Sequence, residues 1–322
     1  MYDKRLSFND ILRAKDLIDP VFLHSPQYIC EPLGVLLGCE IILKVETQNP
    51  IRSFKGRGAD FLLSSLVKNS PHSFTQKIVC ASAGNFGQAM AYSCRKYQIP
   101  ISIFASTKAN ALKIKRMKEL GAEVILFGDD FDAAKAKARE VAQQENGRFV
   151  EDAQDIETLI GAGTIGLELL QLPKNMDFLL IPLGNGALFN GIATVMKAQS
   201  PQTQVIGVQS IGAPAMIESL EKGKLIVYEK IQTIADGIGV RVPIQQALDD
   251  MKGLIDKGLL VKEDSILQAM KLLHSHSGLV VEPSGAVGIA AILENQNLFR
   301  NKIVGTIICG GNLTEEQMKQ WL

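Results

Sequence analysis

The sequence predicts an α/β protein built as two lobes, each an open parallel sheet flanked by helices. Three observations carry that expectation. The chain has 322 residues, which at roughly 150 residues per domain makes two units rather than one small module. Short apolar runs alternate with longer amphipathic stretches, the mark of strand-helix units. Several strand-to-helix junctions are rich in glycine, and in open α/β sheets ligands bind at such places, beyond the carboxyl ends of the strands.

Composition narrows the function class. Hydrophobic residues make up 46% and charged residues 21%, which excludes a disordered, collagen-like or coiled-coil chain. Lys plus Arg equals Asp plus Glu, at 34 each, so nothing points to a nucleic acid or an anionic membrane as partner. The stretch from Met1 to Pro20 is dense in charge and lacks the apolar core of a signal peptide. No apolar run approaches the ~18 residues of a spanning helix. A cytoplasmic enzyme acting on a small molecule is the expectation. The five cysteines include no Cys-x-x-Cys pair, so neither a disulfide framework nor a zinc knuckle fits.

Along the chain, a helical pattern covers 59–68. After Pro71 the runs 77–81, 101–105 and 123–127 read as strands. Helices follow at 88–97 and at 130–146, the latter closed by Gly147 as a C-cap. A second series begins near Gly161, with strands at 178–182, 205–209 and 303–309. A last helix opens at Thr314, with Gln317 three residues on in capping-box spacing. No internal repeat or low-complexity tract interrupts this order.

Five loops carry candidate chemistry. In Ser53-Phe54-Lys55-Gly56-Arg57-Gly58 a lysine stands between an aromatic and two glycines at a helix start. Glycine costs about 1 kcal/mol inside a helix relative to alanine, so it needs a reason. A desolvated lysine becomes the nucleophile a Schiff base requires; taken alone, the segment also fits a solvated surface lysine. The loop Ser82-Ala83-Gly84-Asn85 precedes a helix whose first amides could hold a carboxylate, and it also fits a plain cap and turn. Gly184-Asn185-Gly186-Ala187-Leu188 lets backbone amides converge into an anion nest. Its spacing is not Gly-x-Gly-x-x-Gly, the next strand ends in Gln209 rather than an acid, and no Gly-Lys-Ser/Thr is present. A single phosphate on a non-nucleotide cofactor fits better than a dinucleotide. Glu282-Pro283-Ser284-Gly285-Ala286 and Cys309-Gly310-Gly311-Asn312 complete the set; Cys309 reads either as a ligand-facing thiol or as a packed core residue. His274 and His276, two apart on a helix, do not share a face and are not expected to hold a metal.

Together with Gly161-Ala162-Gly163-Thr164-Ile165-Gly166 and Thr233-Ile234-Ala235-Asp236-Gly237-Ile238, these loops resemble, in order and from about Leu17 to Asn312, the serine/threonine ammonia-lyase (dehydratase) family of pyridoxal-phosphate enzymes. The resemblance implies a two-lobed tryptophan-synthase-β-like fold, the fold type II of such enzymes. A large cofactor-binding domain would comprise 1–66 and 148–322, and a small mobile domain 67–147. It implies pyridoxal 5'-phosphate as cofactor. Lys55 would form the Schiff base and later act as base, with Phe54 against the ring. Asn85 would bond the ring oxygen, the residues Gly184 to Leu188 would hold the phosphate, and Cys309 would face the ring nitrogen, with Glu282 also at the cofactor. Ser82, Ala83, Gly84, Asn85 and Gly237 would face the amino-acid substrate. The implied reaction is β-elimination from L-threonine or L-serine to a 2-oxo acid and ammonia, by a homodimer. The alternatives are an amino-acid racemase or β-replacement synthase on the same scaffold, and more remotely a non-catalytic anion- or nucleotide-binding protein.

Departures from the family pattern shape these expectations. Ala83 stands where racemases of this fold place a second serine, which disfavours racemisation. Phe86 replaces a common histidine, and Asn185 and Ala187 interrupt an all-glycine phosphate loop. Gln209, Ala213 and Ala215 stand near the acidic metal ligands of racemase-like relatives, so no metal dependence is expected. The chain ends ten residues beyond Asn312, which leads to the expectation of no appended regulatory domain.

Overall fold

A computed structural model of the chain describes residues 5–70 and 74–322; residues 1–4 and 71–73, in the spans assigned above to the large and small lobes, lie outside the described residues. The strands are β1 (Gln27–Ile29), β2 (Glu40–Val45), β3 (Ile78–Ala81), β4 (Ile101–Ala105), β5 (Glu123–Leu126), β6 (Arg148–Val150), β7 (Phe178–Pro182), β8 (Gln204–Ser210), β9 (Lys257–Val261) and β10 (Ile303–Ile308). The helices are α1 (Phe8–Ala14), α2 (Glu31–Leu37), α3 (Lys55–Lys68), α4 (Asn85–Tyr97), α5 (Ala111–Glu119), α6 (Phe131–Gln144), α7 (Ile156–Leu169), α8 (Ala187–Gln199), α9 (Ala215–Lys222), α10 (Gln245–Met251), α11 (Glu263–Ser277), α12 (Pro283–Glu294), α13 (Gln296–Phe299) and α14 (Glu315–Trp321).

They form a six-stranded sheet in the order β1-β2-β10-β7-β8-β9 and a four-stranded sheet in the order β5-β4-β3-β6. Pairing is parallel throughout, apart from antiparallel β1 against β2. The α/β class with parallel sheets flanked by helices is as expected.

Strands buried on both faces split their side chains between two cores by simple alternation. On β2 and β7, Ile41, Leu43 and Leu180 pack with α11 and α12, whereas Ile42, Leu179 and Ile181 face the core containing α3, α7 and α8. In the smaller sheet Val79 and Phe104 meet Ala134, Ala138 and Ala142, one small residue per turn of α6. The opposite side, with Cys80 and Ile103, joins the core containing α4.

Several boundaries differ from the sequence expectation. The helix expected from 59 begins at Lys55, so Gly56 and Gly58 lie inside its first turns. A Cβ at Gly58 would come 2.7 Å from the Thr158 carbonyl oxygen on α7, and one at Gly161 would come 2.5 Å from that of Arg57. Close approach of two helix backbones is what these glycines permit. The helix at 130–146 does not end on Gly147: Asn146 takes the left-handed turn (φ 52°), and the Gly147 amide bonds back to the Ala142 carbonyl. Asparagine tolerates that conformation better than most residues. The capping box at Thr314 and Gln317 forms as read.

Strands β1, β2, β6 and β9 are not in the sequence reading. Lys44 interrupts the apolar run of β2, β6 has three residues, and β9 carries Lys257 and Gly258. Because β6 hydrogen-bonds β3, the smaller sheet extends three residues beyond 147, and α3 runs past the 66/67 boundary to Lys68. The five cysteines are buried and unpaired. Among the described residues no helix is long and apolar enough to cross a membrane.

Candidate active site

The carboxyl ends of both sheets face one cleft of about 460 Å³. Every site residue named from the sequence lines it: Phe54, Lys55, Ser82, Ala83, Gly84, Asn85, Gly184, Asn185, Gly186, Ala187, Leu188, Gly237, Glu282 and Cys309.

Lys55 is the first residue of α3, with Phe54 at the N-cap and Lys55 Nζ 4.5 Å from the Phe54 ring centroid. The loop before it is stitched to the loop after β10. The Phe54 amide donates to the Cys309 carbonyl (3.1 Å), the Ser53 hydroxyl donates to the same oxygen (3.2 Å), and the Gly311 amide donates to the Arg52 carbonyl (3.0 Å). That strand-like seam brings Lys55 and Cys309 to one wall. Burial, reinforced by the charge of Glu282, pushes the Cys309 thiol well up, so it stays protonated and uncharged.

A second wall is a chain of amides and one acid. Asn85 Nδ2 donates to Glu282 Oε1 (2.7 Å), Asn312 Nδ2 donates to Asn85 Oδ1 (2.8 Å), and the Asn312 amide donates to Glu282 Oε2 (3.1 Å). Burial pushes the Glu282 carboxyl up to about 7, against the pull of Lys113 and with help from Asp236. Of the two Asn85 amide hydrogens, one is used here and the other is free to meet a ligand.

In the loop after β3, the Ser82 hydroxyl accepts from the Gly84 amide (3.2 Å) and the Gly87 amide (2.9 Å). It therefore caps α4, the plain-turn reading of this segment. The amides of Ala83, Asn85 and Phe86 donate to no protein acceptor among the described residues, which leaves room for the carboxylate reading as well. Lys113 of α5 stands nearby and donates to Asp236 Oδ2 at 2.5 Å. Although burial works against its charge, Asp236 and Glu282 raise its pKa, so it remains an ammonium.

The glycine loop runs from the end of β7 into α8. Gly186 adopts φ 93° at the α8 N-cap, where no side chain bonds the first-turn amides. A Cβ there would lie 3.0 Å from Asn190 Nδ2 and 3.3 Å from Met251 Cε. Open amides at a helix start with the dipole behind them suit a phosphate. Asn185 does not intrude, because its Oδ1 accepts from the Ile244 amide (3.2 Å). The buried Ser284 hydroxyl, also in the cleft, has no protein partner among the described residues. Uncapped amides, an orphan hydroxyl, a neutral thiol and a primary amine within one cleft fit the cofactor that the resemblance implies.

Sequence reasoning missed three features. Asp152, just past β6, forms an ion pair with Lys55; its position at a strand's carboxyl end was the available signal. Lys113 and Asp236 meet only through the tertiary fold. Two residues after Lys55, Arg57 is fully buried between Glu46 and Glu168, and Lys44 also pairs with Glu168. Burial opposes charge there, yet Arg57 and Lys44 hold the Glu168 carboxyl down at about 2. Such a cluster is costly unless complete.

Known proteins resemble the chain over most of its length. Residues 24–310 match the family described as pyridoxal-phosphate dependent enzyme. The chain is 35% identical over 312 residues to the biosynthetic L-threonine dehydratase of Halalkalibacterium halodurans, covering 96% of this chain and 74% of that protein. It is 34% identical over 315 residues to the catabolic L-threonine dehydratase of Staphylococcus aureus, covering 96% and 89%. Among solved structures it is similar to maize serine racemase, with a TM-score of 0.90 at 25% identity over 98% of this chain and 96% of that one.

Proposed function

Because this chain belongs to the pyridoxal-phosphate-dependent enzyme family, we propose that it is an ammonia-lyase that converts L-threonine or L-serine to the 2-oxo acid and ammonia. The observation that carries the reading is the convergence of Lys55, the uncapped α8 amides and the uncharged Cys309 thiol on one cleft. The dehydratase names of the relatives above support the same reaction class.

Pyridoxal 5'-phosphate, when bound, supplies an electron sink for the bonds at Cα and Cβ. Lys55 would hold it covalently and the backbone of Gly184 to Leu188 would hold its phosphate. Phe54 and Asn85 would fix the ring position. Cys309 would meet the ring nitrogen as an uncharged partner, which suits β-elimination. The Lys55 amine takes up the Cα proton. The free amides of Ala83, Asn85 and Phe86 bind the substrate carboxylate, and Gly237 leaves space on the substrate side. The methyl of Ala83 has no proton to give to the opposite face, which counts against racemisation. Serine and threonine differ by one methyl, worth only ~1–3 kcal/mol in an apolar pocket, so both are taken as substrates. The proposal includes a cytoplasmic homodimer with a small domain, 67–147, that closes over substrate.

The experiment is a product analysis with L-serine and L-threonine, alongside borohydride reduction of the yellow protein and mass mapping. The 2-oxo acid appears without an added nucleophile, the reduced cofactor maps to Lys55, and Lys55→Ala lowers kcat by about 10³ or more. A D-amino acid as main product, or product formed only with a second nucleophile, overturns the lyase reading. Colourless protein indifferent to added cofactor overturns the whole assignment.

A further inference from the structure

Asp152 lines the cleft at a turn whose backbone is strained at the following residue. The next residue, Ala153, is fully buried and left-handed at φ 65°, a conformation that costs a non-glycine residue on the order of 1–3 kcal/mol and persists only where the surroundings over-determine it. They do so here. Arg5 donates to the Gln154 carbonyl (2.7 Å) and the Ala153 carbonyl (3.3 Å) and is itself tied to Asp250 at 2.6 Å. The Ala153 amide donates to the Thr158 hydroxyl (3.1 Å), and the Asp155 amide donates to the Glu151 carbonyl (3.0 Å). What this clamp delivers is a carboxylate against a reacting group. Asp152 Oδ2 accepts from the Lys55 amine, while Oδ1 is buried with no partner among the described residues. A buried acceptor without a donor is expensive unless a donor arrives during function, and an ammonium has two further hydrogens to offer.

We propose that Asp152 is a positioning residue for Lys55, holding its amine over Phe54 whenever that amine is free and balancing its charge when it gains a proton. In that step the N–H bond forms at Nζ as the substrate Cα–H bond breaks, and its electron pair stays with the substrate. The ammonium so formed stands against the Asp152 carboxylate, whose second oxygen accepts another of its hydrogens. The inference rests on the reading that Lys55 carries the cofactor.

The test compares the parent protein with Asp152→Asn, Asp152→Glu and Arg5→Met, the last freeing the 153–154 turn at a residue that does not itself line the cleft. Borohydride reduction and mass mapping in each variant first show whether Lys55 carries the cofactor, which tests the earlier reading by itself. In full-length protein stripped of cofactor, Lys55 labelling by an amine-acylating reagent, measured against exposed lysines, rises about threefold or more in Asp152→Asn as the amine loses the acceptor that holds it over Phe54. It rises less in Arg5→Met and returns toward the parent rate in Asp152→Glu. In the loaded enzyme Asp152→Asn lowers kcat about tenfold or more while KM moves less than about threefold. If Lys55 carries the cofactor, yet labelling in both Asp152→Asn and Arg5→Met stays within about twofold of the parent, the inference is overturned. Should Asp152→Asn not fold, Arg5→Met decides by the same labelling criterion.

Discussion

Glu282 is a fully buried acid whose two oxygens accept from Asn85 and from the Asn312 amide. Burial raises its carboxyl to about 7 from an ordinary 4.5. Between those values the native state keeps a proton that the unfolded chain has released. Its contribution to stability is therefore complete below about 4.5 and is lost as pH rises through about 7, by up to about 3 kcal/mol. Glu282→Gln should flatten the fall in unfolding free energy between about pH 4.5 and about pH 7, read by denaturant titration at a series of pH values. A slope identical to that of the parent would show that another group sets it. The same residue illustrates what was legible: Glu282, Asn85 and Asn312 each stand out in their own motif, but no local pattern says that residues 197 apart share a hydrogen bond.

At the scale of elements, α3 is the part around which the site is organised. Its first residue is Lys55, its third is the buried Arg57, and Gly58 lies against α7. A glycine there forgoes about 1 kcal/mol of helix propensity relative to alanine. Gly58→Ala recovers that term but drives a Cβ into Thr158 backbone atoms at 2.7 and 2.8 Å, which cannot swing away as a side chain tip would. Net destabilisation of about 1–3 kcal/mol is expected, measured by denaturant unfolding, with the fitted slope unchanged. Stabilisation would mean that α3 and α7 separate freely. The glycines were conspicuous in the sequence as an odd way to start a helix; that their reason is a second helix depended on packing. Strand β2 escaped notice for a related reason: Lys44 reads as a surface residue until Glu168 is placed beside it.

Over the whole molecule, polar contacts cross the cleft from helices beside the smaller sheet to loops of the larger one. Asp132 pairs with Arg241, Lys113 with Asp236, and Arg116 donates to Asn312. Asp132 and Arg241 are each about one-third exposed, and pairs of that kind are worth ~0–1 kcal/mol. They can steady a closed arrangement without locking it, which suits the proposed closure of 67–147. Arg241→Ala should raise KM for the amino acid about threefold or more with a smaller change in kcat, and should speed amide exchange along α6. Equal exchange in both proteins would place the control of closure elsewhere.

Fold class, the order of the main strand-helix units and the identity of the Lys55, Ser82, Gly184, Glu282 and Cys309 loops were determined by the sequence alone. Each of these is written in a few adjacent residues: alternation, a glycine-flanked lysine, a small-residue junction. Only the tertiary structure decided which charges meet. Asp152 against Lys55, Lys113 against Asp236, and Arg57 between Glu46 and Glu168 join residues from separate elements. Electrostatic energy depends on distance and burial, and neither is encoded in any short window of the chain.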